Sequence, residues 1–413
     1  MRKRVVVTGL GCMSPVGNNV TDTWQALLAG KSGAAPITAF DASAHKTRFA
    51  AEVKDFDPAA LFGTRDARKM DRFTQLATAA TLEALAQSGL VIDESNRDRV
   101  GILIGSGIGG ILTLVEQYEV MRQRGPDRVS PFLIPMMISD GAAGNIAIRV
   151  GARGTNMSLA TACASGTNAL GEAAEMIRRG AVDVMIAGSS EAAISAIAMA
   201  GMNAMTALST LNEDPQKASR PFDKNRDGFV MAEGAGILIL ESLEYAQARG
   251  ANILCEFTGY GTTDDAHHIS APAEDGAGAA NSMRLALQDA GLQLEEIDYI
   301  NAHGTSTPMN DKSETNAIKA VFGEQAYKIP VSSTKSMTGH LLGASGSLEA
   351  VVSVMTILNN ILPPTINYET PDPICDLDYI PNQPRKAEPR HVMSNSFGFG
   401  GHNATLILSR FNQ

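Results

Sequence analysis

Residues 157–188 constrain this chain more than any other stretch. Met157-Ser158-Leu159-Ala160 is short, apolar and strand-like, and Thr161-Ala162-Cys163-Ala164-Ser165-Gly166 follows without a spacer. The residues around and after the cysteine are small: Ala164, Ser165, Gly166, Ala169, Gly171, Ala173 and Ala174. A helix with so little bulk can be packed closely from every side. It stops at Arg178-Arg179-Gly180, two cations in the last turn and then a glycine. Val182 to Gly188 then reads as a buried strand. The pattern places Cys163 at a strand-to-helix turn, at the positive end of a helix. That position stabilises a thiolate and lowers the thiol pKa. A buried structural cysteine, packed as a small hydrophobe, fits the same window.

The flanking sequence alternates in the same style. At 413 residues the chain exceeds the usual size of one core, so two domains or two fused halves are expected. Strands are expected from Val5 to Val7, Val100 to Gly105 and Gly234 to Glu241, and helices from Thr21 to Gly30, Thr74 to Ser88 and Leu243 to Arg249. The second half offers strands from Ile253 to Tyr260, Ile297 to Ile300, Lys328 to Val331 and Ala404 to Leu408. Its helices run from Ala277 to Ala290, Glu314 to Val321 and Leu348 to Asn359. Strands alternating with helices argue for α/β layers around a largely parallel core. Two such sets predict a pseudo-duplicated fold, divided into residues 1–250 and 251–413. Residues 34–62 read as irregular. Pro131 to Ile138 reads as a loop or short helix lining a hydrophobic space, and Met199, Met202 and Met205 as core filler.

A net charge of −10 disfavours a nucleic-acid role. Against that acidic background Arg65, Arg68 and Lys69 cluster, with Arg72 nearby. At helical spacing Arg65, Arg68 and Arg72 share one face, either a solvated face or a docking patch for an acidic partner. Cys12, Cys163, Cys255 and Cys375 are scattered, which suits a reducing compartment and neither a disulfide framework nor a zinc site. The basic start mimics a signal peptide, but Thr8-Gly9 interrupts its apolar run. No stretch reads as long enough to span a membrane, so the cytoplasm is the default. Gly9-Leu10-Gly11 lacks the third glycine and the helix of a dinucleotide fingerprint. Asp223 to Phe229 has a calcium-loop composition without the closing acidic ligand, so no metal is expected there.

Three loops of the second half follow strands and carry unusual polar groups: Asn301 to Thr307, Ser333 to His340, and Asn395 to Gly401. Ligand sites in open α/β sheets lie beyond the carboxyl ends of strands. A histidine in each of the first two loops, glycines beside them and a poised cysteine make a candidate set for nucleophilic catalysis.

Thr161-Ala162-Cys163, Asn301-Ala302-His303-Gly304-Thr305, Lys335-Ser336-Met337-Thr338-Gly339-His340 and Phe397-Gly398-Phe399-Gly400-Gly401 together resemble the β-ketoacyl-[acyl carrier protein] synthases, specifically type II. The resemblance runs from Val5 to Leu408. It implies a thiolase-like α/β fold of five αβαβα layers, built from two pseudo-duplicated halves, and a cytoplasmic homodimer. It implies a decarboxylative Claisen condensation with malonyl carrier protein, with Cys163 as nucleophile. His303 and His340 would donate hydrogen bonds to the enolate oxygen. The N–H groups of Cys163 and Phe399 would hold the tetrahedral oxyanion. Lys335, partnered by Glu349, would fix the local field. Thr305 and Thr307 match positions that bind the pantetheine arm. Ile108, Met202 and Phe397 match the substrate pocket, and Arg65, Arg68 and Lys69 the basic patch for acyl carrier protein. The chain itself is expected to hold no cofactor, because 4'-phosphopantetheine arrives on the carrier. Thr206 departs from the pattern, standing where many relatives have a basic docking residue. A ketosynthase of polyketide or specialised lipid synthesis shares these motifs. An inactive chain-length partner would lack the cysteine, and a degradative thiolase would carry a second one near the C-terminus.

Overall fold

In the computed structural model, which describes residues 2–412, ten strands form one main sheet. They are β1 (Val5–Met13), β2 (Val100–Gly105), β3 (Asn156–Leu159), β4 (Val184–Glu191), β5 (Gly234–Ser242), β6 (Cys255–Asp264), β7 (Tyr299–Asn301), β8 (Val331–Ser332), β9 (His391–Gly398) and β10 (His402–Ser409). Their order is β8-β7-β9-β10-β6-β1-β5-β4-β2-β3. Read inward from either edge, each half runs third, second, fourth, fifth, first strand. β2 is parallel to β3 and β4, while β5 is antiparallel to β4 and β1. β7 is likewise parallel to β8 and β9, while β10 is antiparallel to β9 and β6. The halves join where Val5, Val6 and Val7 pair antiparallel with Phe257, Glu256 and Cys255.

The duplication expected from the alternating pattern is therefore present in the topology, but the core is mixed and not largely parallel. A strand buried on both faces is apolar throughout whichever way its neighbours run, so its composition does not report direction.

Four helices complete the layers: α1 (Arg72–Ser88), α2 (Ser165–Arg178), α3 (Ala277–Ala290) and α4 (Ser345–Asn359). α1 covers β1 and β5 on one outside face, and α3 covers β6 and β10 on the other. α2 and α4 lie between the two half-sheets and touch each other. Their small residues are required there. A Cβ on Gly166 would stand 2.5 Å from Ser189 Oγ and 2.6 Å from Ser347 N, and one on Gly346 would meet Thr167 Oγ1 at 2.2 Å. Substitution at either glycine would force the central helices apart.

Other expectations need correction. Leu342–Asn359, at mean hydropathy 1.3 over 18 residues, is long and apolar enough to cross a membrane by composition, yet 83% of it is buried as the core helix. Arg65, Arg68 and Arg72 do not share a helical face. The first belongs to a single turn, Thr64–Ala67, and α1 starts afresh at Arg72, where the Asp71 side chain accepts the Phe73 N–H. The helix expected from Glu314 begins earlier, at Pro308. Asn395 to Gly398, read as loop, belongs to β9. Pro131 to Ile138 contains the helix Leu133–Met137, with Phe132, Ile134 and Ile138 exposed. Of the methionine stripe, only Met199 is fully buried, and Met205 is exposed. The polar turn at Asp223 is a structural clasp: Arg226 reaches Asp311 and Asp372, and Asp223 accepts the N–H groups of Glu369 and Thr370.

Candidate active site

Cys163 stands where β3 gives way to α2, on an elbow strained at Ala162 (φ +49°). Ser165 tightens that elbow by donating its N–H and its hydroxyl to Ala162 O. The turn opens into a cavity of about 410 Å³. Cys163, His303, His340, Thr305, Thr307, Phe397 and Phe399 all line it. Cys163 from the first half and His303, His340 and Phe399 from the second thus meet because the strand ends β3, β7, β8 and β9 converge beside the two central helices.

His340 Nε2 lies 3.1 Å from Cys163 Sγ, and its Nδ1 lies 2.9 Å from Ser345 Oγ at the start of α4. Its backbone is fixed independently: its N–H donates to Val230 O at 2.7 Å and its carbonyl accepts from Ala232 N at 2.9 Å. The ring meets Phe229 edge to face, with centroids 5.2 Å apart. The His303 ring stands 5.3 Å from that of His340, nearly perpendicular to it, and 5.7 Å from Phe397. Glu314 positions His303 through the backbone, accepting the N–H groups of His303 and Gly304 at 2.8 and 2.7 Å. Burial pushes the Glu314 carboxyl up to about 7.

Burial dominates the electrostatics. It pushes the Cys163 thiol up to about 12, so the thiolate expected from the helix terminus is not the resting form. The Lys335 charge and the N–H groups of Phe399 and Cys163 pull the other way without prevailing. A helix end lowers a thiol pKa only as far as the desolvation of the anion allows. Both imidazoles fall well below their usual 6.5, first through burial and then through the Lys335 charge. They are neutral at pH 7. Lys335 is itself buried and ion-paired with Glu349, whose carboxyl burial raises to about 7 against the pull of the lysine.

The loop after β9 reaches the sulfur only because Gly398 has no side chain. A Cβ there would lie 2.8 Å from Thr161 O and 3.0 Å from Cys163 N. Gly400 N–H donates to Ile269 O at 2.7 Å, and Asp265 N–H to Gly401 O at 2.9 Å, tying this loop to the segment after β6. Thr305 and Thr307, also in the cavity lining, hold hydroxyls 2.9 Å apart.

Not every expected residue joins this constellation. Ile108 is 41% exposed and lies outside the cavity lining. Met202 packs behind the wall with Met199, Phe229 and Leu342. Arg65 and Arg68 are exposed, and Lys69 caps the Phe132 ring at 5.3 Å. Arg72 is committed elsewhere, to a two-pronged pair with Glu233 at 2.7 Å. Thr206 lies at the cavity wall. Leu342, Phe229, Ser345 and Glu314 were not singled out from the sequence. Only the last two carried a signal that could have been read, a hydroxyl five residues after His340 and an acid at helical distance behind His303.

Residues 2–246 match the family description "Beta-ketoacyl synthase, N-terminal domain", and residues 254–369 match its "C-terminal domain". The chain is 54% identical over 410 residues to the 3-oxoacyl-[acyl-carrier-protein] synthase 2 of Synechocystis sp., with 99% of each chain covered. It is 52% identical over 409 residues to the synthase of the same name from Coxiella burnetii, again covering 99% of each. Among solved structures, the ishigamide ketosynthase/chain length factor superposes with a TM-score of 0.93 at 38% identity, covering 100% of both chains. A type II PKS acyl-carrier protein in complex with its ketosynthase gives a TM-score of 0.92 at 37% identity, covering 100% of both chains.

Proposed function

This chain belongs to the β-ketoacyl synthase family, and on that premise we propose how its own residues perform the family's reaction. It is a 3-oxoacyl-[acyl-carrier-protein] synthase of thiolase-like fold, condensing an acyl chain with malonyl carrier protein in fatty-acid elongation. The observation that most supports the assignment of residues is the meeting of Cys163, His303 and His340 in one cavity, with N–H groups of Cys163 and Phe399 directed at the sulfur.

In the first half-reaction Cys163 Sγ attacks the thioester carbonyl of an acyl carrier protein. The sulfur is a thiol at rest, so its proton must leave as the bond forms. His340 Nε2, 3.1 Å away, takes it and hands it to the departing pantetheine sulfur. The products are acyl-Cys163 and a free carrier thiol. The Cys163 and Phe399 N–H groups hold the tetrahedral oxyanion, a contribution worth about a hundredfold or more per donor in comparable sites.

In the second half-reaction malonyl carrier protein loses carbon dioxide. Neutral His303 and His340 donate Nε2–H hydrogen bonds to the enolate oxygen. His340 therefore presents a lone pair first and an N–H second. The Ser345 hydroxyl, 2.9 Å from Nδ1, can accept or donate and so supports both tautomers. The enolate carbon attacks acyl-Cys163, the sulfur leaves as thiolate, and it regains a proton from solvent. Lys335 and Glu349 set the field around the two rings. The arm that delivers both substrates is 4'-phosphopantetheine on the carrier, and Thr305 and Thr307 would hydrogen-bond it. The nucleophile, acyl pocket and docking patch belong to residues 1–250, and the histidines and the Phe399 loop to residues 251–413.

Arg65, Arg68 and Lys69 form the carrier-docking patch. The enzyme works in the cytoplasm as a homodimer. Supporting the dimer, exposed apolar side chains gather between residues 108 and 157: Ile108, Leu114, Tyr118, Met121, Phe132 and Met157. Burying that face would also enclose Ile108 and bring it, with Met202, into the depth of an acyl pocket.

Turnover of acyl and malonyl carrier proteins from the fatty-acid pathway tests the reading. The 3-oxoacyl product should form only when both are present. Preferential use of polyketide carrier proteins would point instead to polyketide or specialised lipid synthesis.

A further inference from the structure

Among the buried acids that the mechanism does not use, Glu191 is the one tied to the turns beside the nucleophile. Glu191 ends β4 and is fully buried. Its Oε2 accepts the N–H of Gly107 at 2.7 Å and that of Gly343 at 3.1 Å, and its Oε1 accepts the Ser106 hydroxyl at 2.9 Å and the Ile108 N–H at 3.2 Å. One carboxylate thus gathers the turn after β2 and the turn after His340. No cation pairs with it among the described residues. Burial pushes its carboxyl up to about 7, and the four donors oppose that rise.

The two turns press on each other and on the nucleophile. A Cβ on Gly343 would stand 2.4 Å from Gly107 N, and one on Gly107 would stand 3.5 Å from Ala162 O. Leu342, beside Gly343, sits at φ +50° and lines the cavity that holds Cys163. A leucine in the left-handed region persists only where its surroundings hold it there. The Glu191 hydrogen bond to the very next N–H is such a restraint.

Resting on the reading of Cys163 as the acyl carrier, we propose that Glu191 is a positioning residue for the acyl chain: its carboxylate clamps the Ser106–Ile108 turn to the Leu342–Gly343 turn and so fixes the wall along which the chain leaves Sγ. Glu191 acts through Leu342 and Gly107 and touches no reacting atom. His340 does not depend on the clamp, because Val230 and Ala232 hold its backbone. The clamp therefore bears on acyl transfer and not on decarboxylation, and its effect grows with the length of chain that meets the wall.

Glu191→Gln keeps the shape of the side chain but replaces one acceptor oxygen with an N–H₂ facing donors. Ser106→Ala removes one of the four donors to Glu191, together with the acceptor of the Gly109 N–H, and serves if the first variant does not fold. The measurement is the rate of acyl loading on Cys163, by mass spectrometry, from carrier proteins bearing short, medium and long saturated chains. Carbon dioxide release from malonyl carrier protein is followed in parallel. In folded Glu191→Gln, long-chain loading should slow by about tenfold, with short-chain loading and decarboxylation within about threefold of wild type. Ser106→Ala should show the same ranking with a smaller loss. Equal losses across chain lengths and decarboxylation would reduce Glu191 to a structural role and overturn the proposal, as would unchanged loading. If wild-type chain takes no acyl group on Cys163, the nucleophile reading fails and the clamp falls with it. Loading in wild type with no chain-length effect in either variant removes the clamp alone.

Discussion

His340 Nε2 and Cys163 Sγ, 3.1 Å apart, form the closest polar contact the nucleophile makes with another side chain, and both groups are neutral at pH 7. A buried thiol beside a buried imidazole has no preformed ion pair to rely on. The acylation step must then move a proton as the carbon–sulfur bond forms. That separates the two histidines, because only His340 is in reach of the sulfur by hydrogen bonding.

His303→Ala and His340→Ala should both abolish decarboxylation of malonyl carrier protein, since each removes a donor to the enolate oxygen. A loss of at least about a hundredfold per donor is expected. Acylation of Cys163 should survive in part in both, and His340→Ala should be the slower of the two. Release of carbon dioxide at the normal rate by either variant would show its role to be wrong.

The two buried histidines should make an identifiable contribution to the pH dependence of stability. Both imidazoles titrate well below 6.5 when folded, whereas an unfolded histidine takes its proton near 6.5. Below that pH the unfolded chain binds more protons, so the contribution of each histidine is present above 6.5 and is lost as pH falls. The slope approaches about 1.4 kcal/mol per pH unit for each histidine once the pH is well below 6.5. Glu191, Glu314 and Glu349, raised to about 7, act in the opposite sense. Their contribution is full below about 4.5 and is lost as pH rises through 7. Denaturant unfolding of wild type and His303→Asn across pH 5 to 8 isolates the histidine part. Relative to wild type the variant should gain stability as pH falls below 6.5, and parallel curves would refute the assignment of a neutral buried His303.

Arg65→Glu with Arg68→Glu should weaken use of carrier-protein substrates, mainly by slowing association, and should reduce the salt dependence. Small pantetheine thioesters should react as before. Arg72→Glu is predicted to behave differently, because it leaves buried Glu233 without its partner and costs about 3 kcal/mol of stability. Equal losses for carrier-bound and small thioesters in the first variant would make the patch structural.

Ile108→Phe tests the dimer and the pocket together. Ile108 is exposed in the single chain, so added bulk should not disturb the folded protomer. If the dimer face closes an acyl pocket over it, long chains should lose elongation steeply, since each buried CH₂ is worth about 0.8 kcal/mol. Short chains should lose little. Rates for short and long acyl carrier proteins, measured beside the melting temperature, decide it. A stable variant with an unchanged chain-length profile removes Ile108 from the pocket.

Much of this architecture was legible in the residues themselves. The glycine stops at Gly89, Gly180, Gly250 and Gly291 all adopt positive φ and end helices where a cap residue of that freedom is needed. The Cys163 elbow followed from an apolar run meeting a run of small residues. What the residues concealed depends on neighbours distant in sequence. Strand direction left no trace in β4 and β5, because both are buried along their whole length and mostly apolar. The break between Arg68 and Arg72 is marked by Asp71, whose carboxylate accepts the Phe73 N–H at the start of α1. Glu191 and Glu314 look like any surface acid until β4 and the helix from Pro308 carry them inside. The helix end alone predicts an activated Cys163 thiol; the burial that opposes it comes from loops as far away as Phe399 and His340.

Acyl transfer to Cys163 is the step from which everything else follows. The most direct test mixes the purified chain with an acyl carrier protein in the absence of malonyl substrate, then digests it and weighs the peptides. The peptide bearing Cys163 should gain the mass of the acyl group in wild type, and no peptide should gain it in Cys163→Ser, which should also lose condensation by orders of magnitude. Cys163→Gln should still decarboxylate malonyl carrier protein. An acyl group found on any other residue, or retained by the serine variant elsewhere in the chain, would contradict the account.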